Sequence, residues 1–399
     1  MSNVSINRQI GSIFVVVGTE VGAGILALPI LIAHIGFPLG LLIMLISWFL
    51  MTYTALLVCE ANLAVPDGAS FAGIGKKLLN PFGQVLVWVS FLMLLYTIMV
   101  AYISAAASAF NTSFPLGTHL VSLIFVGLLG CFVVMGTSVV DWVNRFLLGT
   151  KLLLLLFVCF ILLPHTHASN LSHYLINSKT LLTALPVFVT AFTSHLIIPP
   201  LRTYLRSDAK VLGRVIIIGS IIPLILYVVW IVGVIGVIPL TGSHSFSELF
   251  ARTKEANIGD ILELMKINLN NSIFYAPVSL FSNISVTTSF LGVSLALFYF
   301  LIDAFKLHRL PKISKNVVAI ILTFLIPLMI VWFFPNIFIK ALGYVGLCCS
   351  VLLIILPFFM IQKLKAQNYN FKIKYTNNNL LLWLSLIIGI FVIAIELFI

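Results

Sequence analysis

Gly18-Thr19-Glu20-Val21-Gly22-Ala23-Gly24, followed by Pro29, sets a carboxylate among glycines inside an apolar stretch. Each glycine costs a helix roughly 1 kcal/mol relative to alanine and opens backbone conformations closed to other residues. Close helix packing alone would account for the glycines. It would not account for Glu20, because a charged group at membrane depth is strongly unfavourable unless it faces a cavity or a partner. The segment is expected to be unwound and functional.

A second cluster is Phe192-Thr193-Ser194-His195, ahead of Pro199-Pro200. Two prolines remove two backbone donors and crowd the preceding turn, so a regular helix cannot run through them. The cluster sets hydroxyls and an imidazole in the middle of an apolar run. It reads either as a second unwound segment or as a proline kink with a structural histidine.

The elements that must position these residues follow from composition. The chain has 399 residues, of which 61% are hydrophobic and 8% charged, and a mean hydropathy of +1.19. Soluble domains carry roughly 25% charged residues. The deficit leaves too little polar surface for water, and lipid must take its place. The net charge of +11 does not indicate nucleic acid, because the basic residues fall in short clusters between apolar runs. The five cysteines (Cys59, Cys131, Cys159, Cys348 and Cys349) lie in apolar stretches without metal-ligand spacing and read as buried, reduced packing residues. Arg8 is the only basic residue before the first apolar segment, no small-residue cleavage site follows, and the segment reads as a span rather than a signal peptide.

Windows of about 19 residues predict an all-α membrane protein with eleven spans: 11–35, 38–64, 83–110, 119–139, 146–163, 183–201, 212–238, 274–302, 316–334, 338–361 and 379–398. The long connector 239–273 carries Glu248, Glu255, Asp260 and Glu263, and Ile258 to Leu269 has helical spacing. With the N-terminus inside, seventeen of the 22 basic residues fall on the inner side, a strong positive-inside bias. The two interrupted segments are five spans apart and so cross in opposite directions. Paired breaks of this kind point to inverted repeats with a binding site between them. The chain is expected to be one transporter domain, with repeat one at 8–163, repeat two at 183–362 and an additional helix at 379–398.

At these residues the sequence resembles the bacterial aromatic amino acid permeases of the amino acid/polyamine/organocation superfamily. The resemblance rests on Gly18 to Pro29, Tyr53-Thr54-Ala55-Leu56-Leu57 with Glu60, Ala101-Tyr102-Ile103-Ser104 and Thr288-Ser289-Phe290-Leu291-Gly292-Val293. It implies a LeuT-type 5+5 fold with discontinuous helices one and six, a place in the bacterial inner membrane, and ion-coupled uptake of an aromatic amino acid, tyrosine first. Three positions depart from the family pattern. Glu20 replaces a small or hydroxyl residue, Thr193-Ser194 replace a glycine and an aromatic, and Tyr299 stands where aspartate is common.

For a zwitterionic substrate, freed amides at Gly22, Ala23 and Gly24, beside Thr19 and Glu20, suit the carboxylate. Carbonyls freed where the two half-helices end can accept from the ammonium. Phe192, Thr193, Ser194, His195, Tyr102 and Tyr96 are the expected remainder of the pocket. For coupling, the resemblance implies that Lys151 occupies the sodium position of relatives, which points to protons; snorkelling to the inner interface is the other reading of this lysine. Glu20 is the alternative titrating group. Sodium would instead need oxygens such as those of Thr287, Thr288 and Ser289. Glu60, Asp303 and Glu396 lie near span ends and read as structural or interfacial. No cofactor and no nucleic-acid partner is expected.

A channel would need rings of selectivity groups, and an intramembrane enzyme would need motifs that the sequence lacks. His165, His167, His173 and His244 fall in outer connectors and read as solvated loop residues. The topology is directly testable. Reporter fusions after Lys77 and after Lys312 should both signal from the cytoplasm, and a periplasmic signal from either would overturn the orientation.

Overall fold

The computed structural model describes residues 4–113, 115–172, 178–252, 256–270 and 272–398. Glu255 and His173 lie outside the described residues. All regular structure among those described is helical. Among the described residues, ten helices are long and apolar enough to cross a membrane, and a pair bent by 51° makes an eleventh candidate if the two count as one span.

Span one is that bent pair. Its first half, Ile6–Glu20, gives way to a 3₁₀ turn, Ala23–Leu26, and a second half, Leu28–Ile35. Spans two to five are Phe37–Leu63, Pro81–Ser113, Thr118–Met135 and Thr137–Leu162. Span six is also broken: Ser178–Ala191, then a short turn His195–Ile197, then Ile198–Tyr204. Spans seven and eight are Ala209–Val237 and Ser272–Ala304. Span nine runs from Lys312 to Phe333 and span ten from Phe338 to Ala366, each with a π-helical turn inside. Asn379–Phe398 is span eleven. The amphipathic helix expected in the long connector forms as Ile258–Leu269, capped by the Asn257 side chain.

The fifth span departs most from its hydropathy window. It begins at Thr137, nine residues before the window does, because Asp141, Asn144 and Arg145 depress the local hydropathy. Arg145 and Asp141 satisfy each other one turn apart at 2.8 Å on an exposed face. Gly136, at φ 111°, makes the corner with span four, a conformation that L side chains rarely adopt. The correction moves Lys151 inward. It sits fourteen residues past Thr137, about 21 Å along the helix, and is 2% exposed. It belongs to the protein interior and not to the basic connectors.

The packing partners form a regular pattern. Span one packs on seven, and two on six; span five packs on eight, and three on ten; span three packs on nine, and four on eight. Spans three and eight cross each other, as do two and seven. The first half of span six lies directly on span ten, where a side chain at Gly346 would strike the backbone of Pro186. The connector helix Ile258–Leu269 lies on span three, with the Gly259 amide donating to Ser108 Oγ at 2.9 Å.

Two buried polar groups bind connectors to this frame. Glu60 accepts from the amides of Lys372 (2.9 Å) and Ile373 (2.7 Å) and from the Thr376 hydroxyl, which fastens the strap between spans ten and eleven to span two. Arg202 donates to the carbonyls of Asn62 and Val65, joining the second half of span six to the end of span two. Four cysteines are buried as expected, but Cys131 is exposed on span four.

Candidate functional site

The two helix breaks touch each other. Gly24 of span one lies against the Ala191 backbone of span six, where an added Cβ would sit 3.7 Å from the Ala191 Cα. Each break arises locally. In span one the last regular bond is Val21 N–H to Val17 O at 2.9 Å, after which the Gly22 amide turns back to Glu20 O at 2.6 Å. In span six the hydroxyls of Thr190 and Thr193 donate to carbonyls of their own helix, competing with the backbone ladder. Pro199 and Pro200 fall in the first turn of the resumed helix, where their missing N–H costs nothing. The break therefore precedes the prolines, at residues 192–194.

Side chains from four other spans converge on these ends. The Lys151 ammonium of span five donates to the Val21 carbonyl at 2.5 Å, and Thr288 Oγ1 of span eight is 3.5 Å from the same nitrogen. Gly22 faces span eight and span three: a Cβ there would lie 3.2 Å from Ser289 Oγ and 3.7 Å from the Tyr102 hydroxyl, and these two hydroxyls hydrogen-bond each other. Ser194 Oγ donates to Glu20 Oε1 at 2.7 Å, joining the two breaks through side chains. From span seven, the fully buried Tyr227 hydroxyl reaches Glu20 O at 2.6 Å and Ala191 O at 2.9 Å. These are the terminal carbonyls of the two half-helices.

Thus Glu20, Gly22, Gly24, Ser194, Tyr102, Lys151, Thr288 and Ser289 come together around one point, with the Ala23 backbone opening the second half of span one. The other expected residues do not. Thr19 is exposed and donates to Val15 O of its own helix. Thr193 turns to Val189 O and the Cys349 sulfur. Phe192 is buried against the Tyr227 ring, centroids 5.3 Å apart. His195 Nε2 lies 2.9 Å from Thr54 Oγ1 of span two, while its Nδ1 is buried without a hydrogen-bond partner among the described residues. Tyr96 precedes Tyr102 by six residues, about 9 Å and 120° away on the helix. Its hydroxyl donates to Leu322 O at 2.9 Å, in the π-helical turn ahead of Pro327, which has no N–H to offer. Thr287 donates to Asn283 O and borders an apolar groove of about 340 Å³ beside Phe110, Phe125 and Leu129.

Two expectations about the backbone change as well. The Gly22 amide is taken by Glu20 O, so only the opening amides of the second half of span one, Ala23 and Gly24, lack an acceptor within their own helix. The terminal carbonyls at Glu20, Val21 and Ala191 are already engaged by Tyr227, Gly22 and Lys151. Sequence reading missed Tyr227. Its signal was a lone phenol in the apolar run from Val215 to Ile238, where a polar group in lipid must find a partner.

Comparison with known proteins adds a family to this geometry. The profile of the tryptophan/tyrosine permease family matches residues 5–396. The chain belongs to that family. A tyrosine-specific transport system 2 of Haemophilus influenzae is 33% identical over 402 residues, covering 98% of this chain and 96% of the relative. A tryptophan-specific transport protein of the same organism is 29% identical, covering 96% and 93%. A glutamine transporter 2 of Aliivibrio fischeri is 30% identical, covering 90% of each chain. Membership in a permease family and ten to eleven apolar helices make this a multi-pass membrane protein.

The divided hydroxyls of span eight give a direct test of the geometry. Thr287→Val should leave transport within about twofold of the parent, whereas Thr288→Val and Ser289→Ala should each impair it, read as uptake rates at equal expression. Impairment by Thr287→Val alone would contradict the arrangement.

Proposed function

We propose that this permease takes up aromatic amino acids, tyrosine first, across the bacterial inner membrane by alternating access coupled to protons. The observation that carries the reading is the meeting of two broken helices with a lysine ammonium on a carbonyl that one break releases. A backbone opened in mid-membrane is tolerated only where protein or a water-filled cavity replaces lipid, and paired breaks of opposite direction are the signature of a substrate site.

The packing pattern supports a LeuT-type 5+5 arrangement. Shifting every span number by five turns one–seven into six–two, five–eight into ten–three and three–nine into eight–four, and each shifted pair is in contact. Repeats of 8–163 and 183–362 with 379–398 outside them fit that exchange. The basic inner loops support a cytoplasmic N-terminus and a periplasmic C-terminus. The tyrosine- and tryptophan-specific relatives support an aromatic substrate.

Lys151 is the proposed proton carrier. As an ammonium it ties span five to the break in span one and to Thr288 of span eight. On losing its proton it gives up donors there, and the elements it joins can separate. One observation favours a second reading, a broader neutral amino acid transporter. The Glu20–Ser194 pair makes the meeting point polar, and one relative is a glutamine transporter.

Uptake of labelled amino acids into proteoliposomes, with pH and sodium gradients imposed separately, tests the proposal. Tyrosine and tryptophan should accumulate under a pH gradient and compete better than lysine, glutamate or leucine. Lys151→Ala should abolish accumulation while sparing substrate binding. Normal pH-driven accumulation by that variant would contradict proton transfer at Lys151, and a requirement for sodium would shift coupling to the hydroxyls of Thr288 and Ser289.

A further inference from the structure

An α-amino acid brings an ammonium group, and a buried ammonium needs acceptors on the protein. In a pair of broken helices the ready acceptors are the carbonyls released at the helix ends. Here three of those carbonyls, at Glu20, Val21 and Ala191, already accept from the protein's own donors. Glu20 O accepts both the Gly22 amide at 2.6 Å and the Tyr227 hydroxyl at 2.6 Å. Ala191 O accepts from Tyr227 at 2.9 Å, and Val21 O from Lys151 at 2.5 Å.

At the same place stands an acceptor that is not filled. The Glu20 side chain sits where both breaks meet, and the residue is 5% exposed. Ser194 fixes one carboxylate oxygen, Oε1, at 2.7 Å, while Oε2 has no hydrogen-bond partner among the described residues. None of the ion pairs among the described residues involves Glu20. A carboxylate so enclosed is strongly unfavourable without a counter-charge, and a charge-assisted hydrogen bond to it is about twice as strong as one between neutral groups.

We propose that the Glu20 carboxylate, oriented by Ser194, receives the substrate's α-ammonium group. The inference rests on the transport reading only in taking the ligand to be a zwitterionic amino acid. It makes span one the source of the charged contact and span six its positioning residue, so that a bound ammonium bridges both breaks. It also assigns Tyr227 a part: its one hydroxyl proton competes for the carbonyls of Glu20 and Ala191, while Glu20 Oε2 stays open.

Binding to the full-length purified protein decides the matter, using L-tyrosine, L-tryptophan and L-glutamine, each paired with its desamino analogue, and L-lysine as a further competitor. Glu20→Gln keeps the shape and removes the charge. It should weaken whichever amino acid the parent prefers by about ten- to a hundredfold, the range of a hydrogen bond to a charged group, and leave the desamino analogue unchanged or tighter. Ser194→Ala should produce a smaller loss with the same selectivity, and it carries the test alone if Glu20→Gln does not fold. Glu20→Asp should recover part of the affinity. In uptake, Glu20→Gln should raise KM and spare accumulation at saturating substrate. Equal losses for each amino acid and its desamino analogue would make Glu20 structural and overturn the assignment. So would an unchanged affinity, or a loss confined to lysine. Which of the amino acids the parent prefers tests the substrate reading separately.

Discussion

In a bilayer every backbone N–H and C=O must find its partner inside the protein, and this chain breaks two of its spanning helices. The arrangement around residues 20–24 and 191–194 answers that constraint. Lys151 from span five covers Val21 O, Tyr227 from span seven covers Glu20 O and Ala191 O, and Ser194 covers half of the Glu20 carboxylate. Two spans that do not themselves break are thus committed to the two that do. The same logic recurs in span nine, where Tyr96 meets a carbonyl beside Pro327.

These donors differ in kind, and the difference bears on function. The Tyr227 hydroxyl has a single proton for two carbonyls, so it satisfies one fully at any instant. The Lys151 ammonium carries three donors and a charge that is costly to bury without acceptors. Hydroxyl bridges hold a structure regardless of proton gradients, whereas an ammonium bridge depends on its protonation. The breaks are therefore held by a hydroxyl from span seven and by a lysine amine from span five.

Much of the fold was legible because hydrophobic length is a strong signal. The eleven windows, the two interruptions and the connector helix Ile258–Leu269 all correspond to elements of the structure. The fifth span was mis-started because an exposed Asp141–Arg145 pair lowered its hydropathy without ending the helix. The π-helical turns in spans nine and ten left no sequence signal beyond the prolines that follow them. For the site, residue types pointed to the right segments but not to the right faces. His195 and Thr193 share a break with Ser194 yet turn to Thr54 and Cys349, because an unwound segment has no fixed periodicity from which to read direction. Thr287 and Thr288 are adjacent on a helix and so face about 100° apart, which sends one to an apolar groove and the other to Lys151. Tyr227 was hidden because its role is set entirely by what two other spans leave unpaired.

The central claim is that the two breaks form one substrate site. A structure of the protein determined with bound L-tyrosine tests it most directly. The account requires ligand density touching residues 20–24 and residues 191–194 together, with the amino group toward Glu20. Density confined to one break, density in the apolar groove beside Phe125 and Thr287, or a helix running unbroken through residues 20–24 would contradict it.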